Sequence, residues 1–119
     1  MSPVSSGVVS SFYDPSKSHF GIDITCKEEE PIKSVLDGTV LMSSWTKDSG
    51  YVISIIHPNN LISLYKHNSK VFVEPGQIVK TGDVISIIGN TGELSTGPHL
   101  HFELWLNGKS INPSEFISI

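Results

Sequence analysis

The feature that most constrains this chain is a β-type period that never lengthens into a helical one. Val, Ile, Thr, Phe and Tyr fill most of the apolar positions, and these side chains favour pleated, half-buried surfaces. Gly and Asn interrupt them at short intervals, at Gly38, Gly50, Asn59-Asn60, Gly76, Gly82, Gly89, Gly92, Gly97 and Asn107-Gly108. Short strands between closely spaced turns predict an all-β domain, a mainly antiparallel sheet folded as a sandwich or open barrel. Strands are expected over residues 20–25, 32–35, 38–45, 51–57, 61–67, 77–80, 83–88, 99–106 and 109–111. Asn107-Gly108 is a type I′ hairpin signal, and Asn59-Asn60 predicts a second hairpin.

The length of 119 residues fits one domain. Residues 1–6 read as a flexible lead and residues 7–119 as the folded unit. Net charge is -4 with both signs scattered, which argues against a nucleic-acid surface, since that needs a basic patch. No run of apolar residues is long enough for a membrane-spanning helix. Cys26 is the single cysteine, so no internal disulfide forms, and its place between Thr25 and Lys27 reads as a strand position rather than a nucleophile. Met1-Ser2-Pro3 opens no charged and then apolar leader. The chain therefore reads as a protein that works where it is made or as one domain of a longer exported protein.

The chemistry concentrates in the histidines, of which there are five. His19 and Asp23 form H-x-x-x-D. Residues four apart on a strand share a face, and Gly21 between them permits a bend and a close backbone approach. His99-Leu100-His101 is H-x-H, with two imidazoles on one face, about 6.6 Å apart along the strand axis from its rise per residue. One of the two can bind a metal while the other faces a substrate. Two histidines and one carboxylate suffice for catalytic zinc, with a fourth position left for water. Such a site keeps about one unit of positive charge, which brings the bound water to a pKa near ~7. Each pair alone is a weak signal, and each histidine alone is more often structural. Both pairs on predicted strands of one small β domain favour the metal reading. A competing cadence, two Gly turns six residues apart at Gly76 and Gly82, also occurs in biotinyl and lipoyl carriers. Lys80 would be the modified residue, but it lacks the flanking residues such domains use.

Several segments together resemble the lysostaphin/LytM-type zinc peptidases. His19-Phe20-Gly21-Ile22-Asp23 looks like their H-x-G-x-D opening, and Asp37-Gly38-Thr39-Val40 like their next strand turn. Tyr65-Lys66-His67 resembles their Y-x-H segment. Gly89-Asn90-Thr91-Gly92 followed by Ser95-Thr96-Gly97-Pro98-His99-Leu100-His101-Phe102-Glu103 is similar to their long signature. The likeness covers about residues 7–116 in order, and it accounts for the Gly cadence as well. It implies a duplicated hybrid motif fold with a groove holding one Zn²⁺ per chain. It further implies His19, Asp23 and His101 as metal ligands, and His67 and His99 as non-ligating active-site histidines. Tyr13 stands where some relatives carry an oxyanion-stabilising Tyr. The implied reaction is hydrolysis of peptide bonds in peptidoglycan cross-links or stem peptides, outside the cytoplasm, in the periplasm or cell wall. The alternative is a zinc-bearing, non-hydrolytic scaffold that binds wall or activates a wall hydrolase. His57 reads as structural. Glu103 reads equally as a partner holding a histidine N–H or as a solvated strand residue.

Overall fold

The alternating segments become ten β-strands and three short 3-10 turns, with no α-helix among the described residues. The computed structural model describes residues 1–89 and 98–118. The strands are β1 (Val8–Ser11), β2 (Ile22–Thr25), β3 (Pro31–Lys33), β4 (Gly38–Thr46), β5 (Gly50–His57), β6 (Leu61–Val71), β7 (Ile78–Val79), β8 (Val84–Ile88), β9 (His99–Leu106) and β10 (Lys109–Ile111). All pairings are antiparallel. The main path runs β1-β2-β9-β6-β5-β4-β7, with β10 on β9 and β8 bridging β3 and β6.

Register explains how one sheet makes both a core and a groove. Ile22 stands opposite Phe102, and Phe102 opposite Tyr65. Tyr65 in turn stands opposite Ile53. All four are fully buried, and the Tyr65 and Phe102 rings pack at 5.3 Å. Directly opposed residues share a face, so this row is core. Removing a ring of that size from a packed interior costs about 3–5 kcal/mol. One residue along, Asp23 stands opposite His101 and His101 opposite Lys66. Period-2 alternation turns that polar row to the other face, where the groove lies.

Both predicted hairpins form. Asn107 and Gly108 take φ 52 and 81 between β9 and β10, the left-handed pair that a type I′ turn requires. Asn59 and Asn60 also take positive φ, between β5 and β6. Strand β1 was not expected. It is an edge strand with Val8 exposed, and its serine-rich sequence carries no apolar alternation. Within residues 1–6, the Pro3 carbonyl accepts from the Lys33 N–H of β3 at 2.8 Å, and Val4 joins the core. Strand β6 continues past its expected end at residue 67 because its last residues pair with β8. The turn residues Gly92, Ser95, Thr96 and Gly97 lie outside the described residues.

Candidate metal centre and active site

The groove face brings His19, Asp23 and His101 together. One donor atom from each lies within 4.8 Å of the others. His101 Nδ1 is 2.7 Å from Asp23 Oδ1, and His19 Nε2 is 3.1 Å from Asp23 Oδ2. The strand register fixes the first contact, since Asp23 and His101 are cross-strand partners.

The second contact has a different origin from the one the sequence suggested. His19 does not belong to β2, which begins at Ile22. It follows the 3-10 turn Pro15–Lys17 and is pinned by a backbone bridge, Asp14 N–H to His19 O at 2.9 Å and His19 N–H to Asp14 O at 3.0 Å. Convergence comes from that turn rather than from a shared strand face. Gly21 does make the close approach expected of it. A Cβ there would collide with the Phe102 carbonyl oxygen and press on the Glu103 side chain.

The outward nitrogens decide what the inward ones can do. A carbonyl only accepts, so His19 Nδ1–H donates to the Phe12 carbonyl at 2.7 Å, leaving Nε2 as a lone pair aimed at Asp23. Two acceptor atoms 3.1 Å apart need a proton or a cation between them. His101 Nε2–H donates to Glu103 Oε2 at 2.7 Å, and Trp105 Nε1–H fixes the other Glu103 oxygen at 2.7 Å. That arrangement directs His101 Nδ1 into the cluster. Anchored outer nitrogens on inward-facing imidazoles are the pattern of metal-ligating histidines.

Charge follows the same geometry. Burial pushes the Asp23 carboxyl up, but the hydrogen bond from His101 and the nearby histidine charges outweigh it and hold it below the ordinary value. Burial pushes His101 down, yet Asp23 and Glu103 outweigh it and the imidazole sits above its usual range. Glu103 is buried, but His101, Trp105 and the Lys66 ammonium hold it below the carboxylate norm. Glu103 is thus an ionised partner of His101, 6% exposed, rather than a solvated strand residue. Its position two residues after His101 was the available signal. Trp105, two further on, lay on the same face and was not singled out.

His67 reaches the groove through a backbone irregularity. Between Tyr65 opposite Ile53 and Asn68 opposite Tyr51, β6 advances one residue more than β5. This is a β-bulge, which re-aims a side chain. Without it, period 2 would put His67 on the core face with Tyr65. His67 takes φ 72, a conformation that costs a non-glycine residue about 1–2 kcal/mol. Its N–H donates to Ser49 O at 2.9 Å, and its carbonyl accepts from Gly89 N–H at 3.1 Å. The ring lies 4.7 Å from His99 and 6.5 Å from His101.

Three singled-out residues lie elsewhere. The Tyr13 hydroxyl is held at β10, 2.8 Å from Ser110 Oγ, so it is bonded away from the histidine cluster. His57 is buried in a structural network with Asp37 and Ser63. Burial, aided by the Glu30 charge, pushes the Cys26 thiol up to about 11, which leaves no thiolate for nucleophilic chemistry at neutral pH.

With this geometry in place, comparison with known proteins identifies the class: the chain belongs to peptidase family M23, whose profile matches residues 17–113. The peptidoglycan DD-endopeptidase ShyC of Vibrio cholerae is 39% identical over 97 residues, 82% of this chain and 22% of that protein. The catalytic domain of lysostaphin from Staphylococcus simulans superposes with a TM-score of 0.75 at 32% identity, over 82% of this chain and 77% of that one. A zinc-containing peptidase from Vibrio cholerae superposes with a TM-score of 0.76 at 31% identity, over 93% of this chain and 35% of that one. The chain spans only 20% to 25% of the length of the first curated relatives it matches.

Proposed function

We propose that this chain is a zinc-dependent endopeptidase that hydrolyses peptide bonds in peptidoglycan cross-links or stem peptides, outside the cytoplasm. The observation that carries the reading is the pair of anchored imidazoles. His19 and His101 each commit the outer nitrogen to a protein acceptor and turn the inner one toward Asp23. Two neutral imidazoles and one carboxylate make the donor set of a catalytic zinc site with a position open to water. His19, Asp23 and His101 would hold one Zn²⁺ per chain. When bound, the ion supplies a Lewis acid for the scissile carbonyl and an acidified water.

The remaining roles belong to the chain's own groups. His67 and His99, packed together beside the cluster, orient the attacking water, take its proton, and donate to the carbonyl oxygen as negative charge develops there. Glu103 keeps His101 in the tautomer that leaves Nδ1 free, and Trp105 keeps Glu103 in place. The Tyr13 hydroxyl bonds Ser110 in this structure, and the scheme does not draw on it.

The decisive experiment is incubation with purified peptidoglycan, with mass analysis of released fragments, zinc content of the protein, and a chelator control. New peptide ends that disappear with chelator are expected. Bound zinc with no fragments released would favour the scaffold reading instead. Fractionation of source cells expressing the full-length protein tests location, and recovery in the cytosol alone would remove the wall from the proposal.

A further inference from the structure

We propose that Lys66 binds a substrate carboxylate beside the metal centre, so that the enzyme prefers cross-links whose amine-side residue carries a free carboxylate on the carbon bonded to the scissile nitrogen. The inference rests on the peptidase reading above. It selects among bonds that reading leaves open.

The row Asp23–His101–Lys66 crosses three neighbouring strands on the groove face. Opposed residues stand about 4.5–5.5 Å apart at Cβ, so Lys66 is the immediate neighbour of His101 on the side away from Asp23. With His67 and His101 it lines a recess of ≈ 260 Å³, where it is the one lysine among the described residues. The exposed Phe20 forms an apolar part of the same wall. The Lys66 ammonium lies 3.6 Å from Glu103 Oε2, with its side chain 29% exposed. That distance is too long for a hydrogen bond, and a partly exposed pair of this kind adds little stability. Glu103 already has both oxygens occupied by His101 and Trp105. Lys66 thus lines the recess with an ammonium that keeps donors to offer. Asp48 on the recess lining disfavours a carboxylate placed at its own side.

Only one substrate carboxylate can lie so close to the reacting bond. The acyl side contributes the scissile carbonyl itself, so the carboxylate must come from the amine side. In a D-Ala–diaminopimelate link, the carbon bearing the scissile nitrogen also bears a carboxylate, on an aliphatic stem that suits Phe20. In a link to a lysine ε-amine that carbon is a methylene. Within a pentaglycine bridge it is a methylene followed by an amide. A charge-assisted hydrogen bond of this type distinguishes carboxylate from neutral analogue by about tenfold or more.

The test uses the zinc-loaded chain and three synthetic linked peptides: D-Ala–diaminopimelate with a free carboxylate, the same peptide amidated, and D-Ala linked to a lysine ε-amine. Wild type is expected to lose about tenfold or more in kcat/KM on amidation, mostly through KM. Lys66→Met should treat free and amidated peptides alike, and Lys66→Arg should restore the preference. Equal cleavage of both peptides by wild type, or a preference kept by Lys66→Met, overturns the assignment while leaving the peptidase reading intact. Titration with N-acetyl-diaminopimelate, followed by NMR, separates the opposite case. Binding that needs both the carboxylate and Lys66 in a chain that cleaves nothing would sustain the subsite and remove the peptidase reading. Product binding unaffected by Lys66→Met would overturn the subsite without reference to turnover.

Discussion

Strands β9 and β6 lie side by side and deliver their histidines in opposite ways. On β9, ordinary alternation suffices. Leu100, Phe102 and Leu104 enter the core, while His99 and His101 fall on the groove face without any backbone adjustment. On β6, alternation would send His67 into the core. A bulge and a left-handed residue reverse its direction. The first strand positions groups by pattern, and the second by stored strain at one residue, with the Ser49 and Gly89 backbones holding it. A histidine placed by pattern is secured by the whole sheet, whereas one placed by a bulge depends on local contacts, the Ser49 and Gly89 backbone hydrogen bonds among them.

The comparison breaks most readily within β9. His101→Ala should abolish zinc binding and turnover together, because it removes a proposed ligand. His99→Ala, on the same face, should keep one zinc and lose ~10²–10⁴-fold in rate. Metal analysis beside a wall-hydrolysis assay reads both. Loss of zinc from His99→Ala would mean that the two neighbours share the ion.

The strain on β6 is sharpened by two substitutions at one position. His67→Ala and His67→Gly should both lose ~10²–10⁴-fold in turnover with zinc retained. They should differ in stability, since only Gly adopts φ 72 without penalty. Denaturation should place the Gly variant about 1–2 kcal/mol above the Ala variant. Equal stability would show that the bulge relaxes once the imidazole is gone.

A smaller effect is expected behind β9. Glu103→Gln preserves shape but weakens the hold on His101 Nε2, and loss of such a partner typically costs about 10–100-fold in metal affinity or activity. A competition assay with a graded chelator should show the affinity change. Unchanged affinity would reduce Glu103 to packing.

The same contrast explains what could be read from the chain beforehand. The strand pattern, both hairpins and the H-x-H face follow from local periods, so they were visible. Glu103 was half-visible: its spacing put it on the right face, but the close approach of Gly21 to its side chain is a long-range event. The origin of His19 was misread, because a 3-10 turn and one backbone bridge leave no period. The direction of His67 could be taken only from resemblance, since a bulge is fixed by the partner strand. Lys66 gave no signal of its own, and its place beside His101 emerges only from register.

His57, at the end of β5, supplies the control for both strands, a histidine buried for structural reasons. Its Nδ1–H donates to the Asp37 carbonyl at 2.8 Å, and its Nε2 lies 2.7 Å from the Ser63 hydroxyl oxygen. Ser63 Oγ lies 2.8 Å from the Tyr65 hydroxyl, which accepts from the Val35 N–H. Burial disfavours the charged ring and pushes the His57 pKa below its ordinary value, against the opposing pull of Asp37. The unfolded chain protonates this residue near pH 6.5, about the ordinary value, while the folded chain resists. Its contribution is therefore full above that pH and falls as pH drops below it, because the unfolded state then binds more protons. His57→Asn keeps a donor for the Asp37 carbonyl and removes the titration. It should cost about 1–3 kcal/mol at neutral pH through the lost Ser63 partner. It should also flatten the decline in stability below pH 6.5 relative to wild type at matched zinc. Turnover at neutral pH should change least of all the variants here. A large loss of turnover with intact folding would place His57 in the reaction rather than beneath it, and an unchanged pH slope would mean that another group carries the acid sensitivity.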